Sequence, residues 1–295
     1  MRRSIHEIIL ETFDITEELM RLASLFFTQD FYLTGRSFGA KWISMAQCIN
    51  LYFHHWPFAG TCLDLNDYIE KLSQDDSYLL NIDPIDLQEY LHRKSMAELL
   101  ETAFGNVEFF YNMFRFASDM LYADMKIVEI EKIEEKVLVK MNTVLDTIIS
   151  NIHAKPIELE PNKFILIPND EEVIAVAELT ENIDTSKSIL KYNHFKTKGD
   201  LEAKKSILRQ LYLDIEKNGK RSEAKKDFDY ILNNADIRHN TSELNGNAIT
   251  TYMEDETIEE VYDVAYRLYL LVKLENEYKD KLKDKVEGYK VIQSL

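Results

Sequence analysis

No proline occurs after Pro168, and the whole chain of 295 residues holds only five prolines and eight glycines. Proline removes a backbone donor and clashes inside a helix, so its scarcity leaves long stretches free to stay helical. The apolar spacing uses that freedom. Ile258, Val261, Ala265, Leu268 and Val272 recur at helical intervals, as do Ile130, Ile133, Val137, Met141, Val144 and Ile148. An all-α protein is expected, with helix over well more than half of its residues.

Capping chemistry places the helix ends. Ser4 with Glu7 and Ser95 with Glu98 read as capping boxes, and Asp83-Pro84 as an N-cap followed by proline at the first helical position. A helix is expected from about Gly35 to Phe53. Another covers Ser95 to Asn151, broken near Tyr122 to Met125. Asp170 opens Glu171 to Leu179, and Gly199-Asp200 opens a helix that Asn218-Gly219 closes. Ser222 caps the next, and Asp255-Glu256 begin a long last one, with lysines from Lys279 to Lys285 suited to its C-terminal dipole. The exception to helix is at most a short strand or hairpin near residues 163–177, where Lys163 to Ile167 suits a strand. Phe109, Phe110, Met113 and Phe114 read as core, and the adjacent His54 and His55 as part of an aromatic cluster rather than a metal site.

Pro156, Pro161 and Pro168 punctuate the chain and suggest two domains, 1–155 and 156–295. With 45% hydrophobic and 29% charged residues the chain is globular in composition. Two cysteines, Cys48 and Cys62, suit neither a disulfide framework nor a four-ligand metal site, so a cytoplasmic setting without metal or other cofactor is expected. Glu7 and Glu11 interrupt the segment behind Arg2-Arg3 that would otherwise resemble a signal peptide, and no run of about 18 apolar residues exists to span a membrane.

A net charge of −17 argues against general coating of nucleic acid. The charge is uneven, however. Residues 187–226 carry 12 Lys and Arg against 5 Asp and Glu, a net of +7, which leaves −17 − 7 = −24 for the remainder. Such an island suits either a locally steered anion site, with RNA as its partner, or two helices with solvated lysines.

The chemistry concentrates in Asn233-Asn234-Ala235-Asp236-Ile237-Arg238-His239-Asn240, at an expected helix end. Arginine offers a planar fork of donors for phosphate, and histidine trades a proton near neutral pH. Short amides tolerate left-handed backbone and hold a helix end open. Arg238 would hold a phosphate, His239 would act as acid or base, and Asn240 would orient one of them. Supporting roles are expected for Asn234, Glu243 and His194, the last on a loop (Tyr192 to Phe195) placed near the Arg238 loop. The competing reading is a structural arginine paired with Asp236 or Glu243.

Ile237-Arg238-His239-Asn240, with Tyr192-Asn193-His194-Phe195, Lys198-Gly199-Asp200 and Lys204-Lys205, resembles the HEPN superfamily as it occurs in bacterial abortive-infection-type proteins. The likeness covers roughly the last hundred residues. It implies a four-helix domain, often a homodimer, whose arginine and histidine form a metal-independent ribonuclease site of toxin or antiphage type. The family places its histidine after four to six intervening residues, where this chain has Glu243, Leu244 or Asn245, and His239 adjoins Arg238 instead. Two other readings stand beside it: a non-catalytic helical scaffold that meets a protein partner through its acidic surface, and a degenerate HEPN partner that regulates an active enzyme.

Overall fold

The computed structural model describes residues 13–35, 39–57, 59–72, 96–124, 131–218, 220–238 and 248–283. About 70% of these are helical, in ten α-helices, with two small antiparallel hairpins. The helix starts expected at Ser4 and Asp83 lie outside the described residues. None of the described helices is long and apolar enough to cross a membrane. The chain divides into two compact units, Met1–Pro168 and Asn169–Leu295.

The first described helix is α1 (Ile15–Ala23), capped by the Asp14 carboxylate, which accepts from the Glu17 N–H; a π turn extends it over Ser24–Thr28. The chain then forms β1 (Asp30–Gly35) and β2 (Gly39–Ser44), with Tyr32 opposite Trp42. This corrects the expected helix over 35–53, whose first half is strand. Ser44 ends β2 and, in a capping box with Gln47, starts the short α2 (Met45–Leu51). The reciprocal bonds satisfy orphan donors of the first turn, so helix begins there and no earlier. Phe53–His55 make one 3₁₀ turn, with the rings of His54 and His55 3.9 Å apart. α3 (Leu65–Leu72) follows.

Two long helices complete the core of this unit: α4 (Met96–Asp124) and α5 (Glu131–Asn151). Phe109, Phe110, Met113 and Phe114 are buried on α4, as expected. Phe110 meets Phe26 of the π turn at 5.1 Å, and Phe116 meets Trp56 edge-on at 4.9 Å. On α5 the expected seam holds at Met141, Val144 and Ile148, joined by Leu145. Ile130 and the side chains of Ile133 and Val137 lie outside what the structure describes.

β3 (Ala154–Glu160) and β4 (Lys163–Pro168) form the second hairpin, turning through Asn162 at φ 60°. The outer edge of β4 is tied to α4. Asn112 donates to the Phe164 carbonyl at 2.8 Å and accepts from the Phe164 N–H at 2.9 Å; Glu108 accepts from the Leu166 N–H at 2.7 Å. These bonds make the hairpin part of the first unit, so the division falls after Pro168 rather than at the 155/156 boundary that the prolines suggested.

Among its described residues the second unit has five helices: α6 (Glu171–Leu179), α7 (Ile183–Tyr192), α8 (Leu201–Asn218), α9 (Glu223–Asn234) and α10 (Asp255–Glu277). Asp170, Asn182 and Ser222 cap α6, α7 and α9 through side-chain oxygens that accept from N–H groups of the first turn. Leu208, Leu211 and Ile215 of α8 are buried with Phe228 and Leu232 of α9. On α10 the buried face is Tyr262, Ala265, Tyr266, Tyr269, Leu270 and Val272, so the expected apolar seam is shifted toward a row of tyrosines.

Candidate functional site

The stretch around Arg238 is the C-terminal exit of α9. Its last turn needs partners for free carbonyls, and the local sequence supplies them. Asp236 adopts φ 58°, a left-handed conformation that short polar side chains tolerate, and reverses the chain. The Arg238 N–H then donates to the Leu232 carbonyl at 3.0 Å, and the Ile249 N–H to the Asn234 carbonyl at 2.8 Å. The Asn234 side chain donates back to the Tyr230 carbonyl at 2.7 Å, so it serves the helix end. Ala235 and Ile237 are fully buried and pin the turn, while the Arg238 side chain stays 40% exposed.

One stripe of α8 reads this turn residue by residue. Lys205, Arg209, Tyr212 and Glu216 follow at intervals of four, three and four, hence on one helical face. Lys205 donates to the Asp236 carboxylate at 2.8 Å, and Arg209 Nε donates to the Ile237 carbonyl. The Arg238 guanidinium lies over the Tyr212 ring, 4.7 Å from its centroid, with the Glu216 carboxylate at 3.8 Å. Arg238 Nη1 also donates to the Asn233 side chain at 3.1 Å, and the Tyr212 hydroxyl donates to Glu216 at 3.1 Å. The other carboxylate oxygen of Asp236 is buried without a hydrogen-bond partner. Nearby Tyr262 is pushed up to about 12, first by burial and then by the charge of Asp236. The turn is thus held by its backbone and by α8, and it presents one cation outward.

A second polar cluster lies beside it. Lys204, only 6% exposed, contacts Asp263 at 2.5 Å and Glu259 at 2.8 Å, and lies 5.0 Å from the centroid of the Tyr192 ring. The Tyr192 hydroxyl donates to Asp263 at 2.9 Å, and its ring stacks on Tyr266 at 4.0 Å. Tyr266 in turn donates to the Ile189 carbonyl and accepts from Asn193. Burial raises the Tyr192 hydroxyl, with Asp263 adding to it. Burial also acts to raise Glu259, but the Gly199 N–H at 2.8 Å and Lys204 overcome it and bring the carboxyl below its ordinary 4.5. A carboxyl with a lowered folded pKa contributes stability that is present above the unfolded value and lost as pH falls through the folded one. Stability of this unit is therefore expected to fall as pH drops below about 4.5. Glu259→Gln should flatten that part of the curve, measured by denaturant midpoints between pH 6 and 3. An unchanged slope would remove Glu259 from the account.

The basic island is thereby altered. Lys204 and Lys205 are buried in ion pairs, and Lys220, Lys225 and Lys226 each reach a carboxylate, of Asp280, Asp229 and Glu223. These lysines carry less free positive charge toward solvent than the sequence count suggested. His194 rests against Phe195 with ring centroids 4.3 Å apart. Its segment meets α8 at Lys204, whereas Arg238 meets it at Tyr212 and Glu216, about 12 Å further along at 1.5 Å per residue. His239, Asn240 and Glu243 lie outside the described residues. Among the described residues no group of three or more His, Cys, Asp or Glu side chains is placed to hold a metal ion. Sequence reasoning missed the α8 stripe. Its four-three-four spacing was available, but nothing local linked it to a turn some thirty residues later. No family model, curated protein or solved structure matches the chain.

Proposed function

We propose that the second unit is a HEPN-like helical domain that binds RNA, with Arg238 as its phosphate contact, and that it acts as a toxin or antiphage-type ribonuclease. One observation carries this reading. Lys204 and Lys205 are tied to carboxylates and Arg209 to a carbonyl, but Arg238 keeps its side chain 40% exposed on a turn held by backbone hydrogen bonds. Stacking on Tyr212 holds the fork in place, and a carboxylate at 3.8 Å is loose enough for an incoming phosphate to displace. His239 and Asn240 follow directly in sequence and supply the proton-transfer and orienting groups of a metal-independent cleavage.

The test is binding of a labelled single-stranded RNA by the whole chain as salt is varied. Binding through phosphates weakens with salt, because each contact releases a counterion. Arg238→Ala should weaken binding about tenfold or more and reduce the salt slope by about one. Its melting temperature should stay near that of the parent. Arg238→Lys should fall between, since it keeps the charge and loses the fork. Cleavage in the presence of a chelator, lost by about 10²–10⁴-fold in His239→Ala with binding retained, would establish the catalytic part.

A non-catalytic scaffold is the second reading, and the Asn233 and Glu216 contacts to Arg238 favour it, since they already give the cation internal partners. In that case RNA binding is absent, and Arg238→Ala lowers the melting temperature.

A further inference from the structure

We propose that the outer face of the β1–β2 hairpin binds an arginine side chain carried on a basic segment of a partner protein. Trp42 and Tyr32 supply the stacking surface and Asp30 the counter-charge. The inference stands whatever Arg238 binds. Side chains alternate across a strand, so the register sorts this hairpin into two faces. Phe31 lies opposite Ile43, and both are buried in the core of the first unit. Tyr32 lies opposite Trp42 on the other face, where they are 40% and 68% exposed, with ring centroids 5.6 Å apart. Asp30, two residues before Tyr32, belongs to that same outer face and is exposed. Among the described residues no ion pair or hydrogen bond takes up its carboxylate.

Charge and geometry choose the occupant. Residues 1–168 hold 15 Lys and Arg against 26 Asp and Glu, a net of −11. That field repels a phosphate backbone or an anionic lipid surface and draws a cation. An aromatic face attracts a cation within about 6 Å of its centroid, and tryptophan does so best. Asp30 and Trp42 are diagonal neighbours across the two strands, about 7–8 Å apart. One guanidinium placed between them can lie over the indole and present its fork to the carboxylate. Arginine suits this better than lysine, because its planar head stacks on rings and is less strongly hydrated.

Titration of the full chain with a blocked arginine–glycine repeat peptide tests the proposal. Trp42 is exposed and Trp56 buried, and the chain has no other tryptophan, so the red edge of the emission reports Trp42. A saturable change there is expected, with the lysine–glycine repeat of equal charge binding about fivefold or more weakly. By calorimetry, Asp30→Asn and Trp42→Ala should each weaken the arginine peptide about fivefold or more, and Trp42→Tyr should keep part of the affinity. Asp30→Asn is an exposed, same-shape change, so its fold and melting temperature should match the parent. Equal binding of the two peptides would reduce the effect to bulk charge and overturn the proposal. So would binding indifferent to both Asp30→Asn and Trp42→Ala, or an emission that the arginine peptide leaves unchanged. A single-stranded RNA that shifts the Trp42 emission where the peptide does not would give this face to bases and overturn it equally.

Discussion

Asn112→Ala should cost the first unit about 2–4 kcal/mol, because one side chain on α4 satisfies both backbone groups of Phe164. Asn112 is 5% exposed, so water does not readily replace the lost amide. Each buried donor or acceptor left unpaired costs on the order of 1–3 kcal/mol, and here there is one of each. Alanine gains about 0.6 kcal/mol of helix propensity over asparagine, too little to offset the loss. The hairpin has two strands and is marginal without packing support, so its tie to α4 decides whether it stays formed. Trp42 and Trp56 are the only tryptophans and both belong to this unit. Trp56 packs on Phe116, one turn along from Asn112. Tryptophan emission therefore reports the right transition. A urea midpoint lower by about 1–2 M is expected. Glu108→Gln is the control: its amide oxygen still accepts from the Leu166 N–H, so the midpoint should move much less. Equal, small shifts in both variants would show that the clamp contributes nothing.

The parts that could be read from sequence are those whose cause is local. The Ser222 and Asp170 caps and the length of α8 rest on residues within one turn of each other, and the structure has them where the spacing put them. The first hairpin failed for an instructive reason. Ile43 is buried as a strand residue, while Met45, Cys48 and Ile49 are buried as helix. Read together they imitate a single helical period, and only the Ser44–Gln47 box separates the strand from the helix. Pro156 hid β3 in the same way. Proline is tolerated on an edge strand, and in a two-stranded sheet every strand is an edge. Within the candidate site, the helix ends at Asn234, and the left-handed residue is Asp236 rather than one of the asparagines. The role of the lysines does not follow from composition. Whether Lys204 and Lys205 face solvent is decided by Asp263, Glu259 and Asp236, carboxylates on other segments 31 to 59 residues away. Sequence spacing carries no signal for that.

Lys204→Met should destabilise the second unit by about 2–3 kcal/mol and leave the first unit unaffected. Methionine keeps most of the stem and removes the charge, so packing is largely preserved and the electrostatic loss stands alone. Breaking a buried ion pair from one side costs about 3–5 kcal/mol, chiefly because the partner is left buried and charged. The cost here is lower, since Asp263 is 50% exposed and can rehydrate, whereas Glu259 at 21% is less able to. Both carboxylates keep one other donor, the Tyr192 hydroxyl for Asp263 and the Gly199 N–H for Glu259. A loss of this size lowers the melting temperature by on the order of 5–15 °C in a domain of this length. Far-UV circular dichroism should resolve an earlier transition while tryptophan emission, confined to the first unit, keeps its midpoint. The triple change Lys204→Met, Glu259→Gln, Asp263→Asn removes every charge together and should recover much of the loss, as replacing a whole buried pair often does. If the triple variant is less stable than Lys204→Met alone, the two carboxylates are stabilising in their own right, and Lys204 is not what holds this end of α10 to α7 and α8.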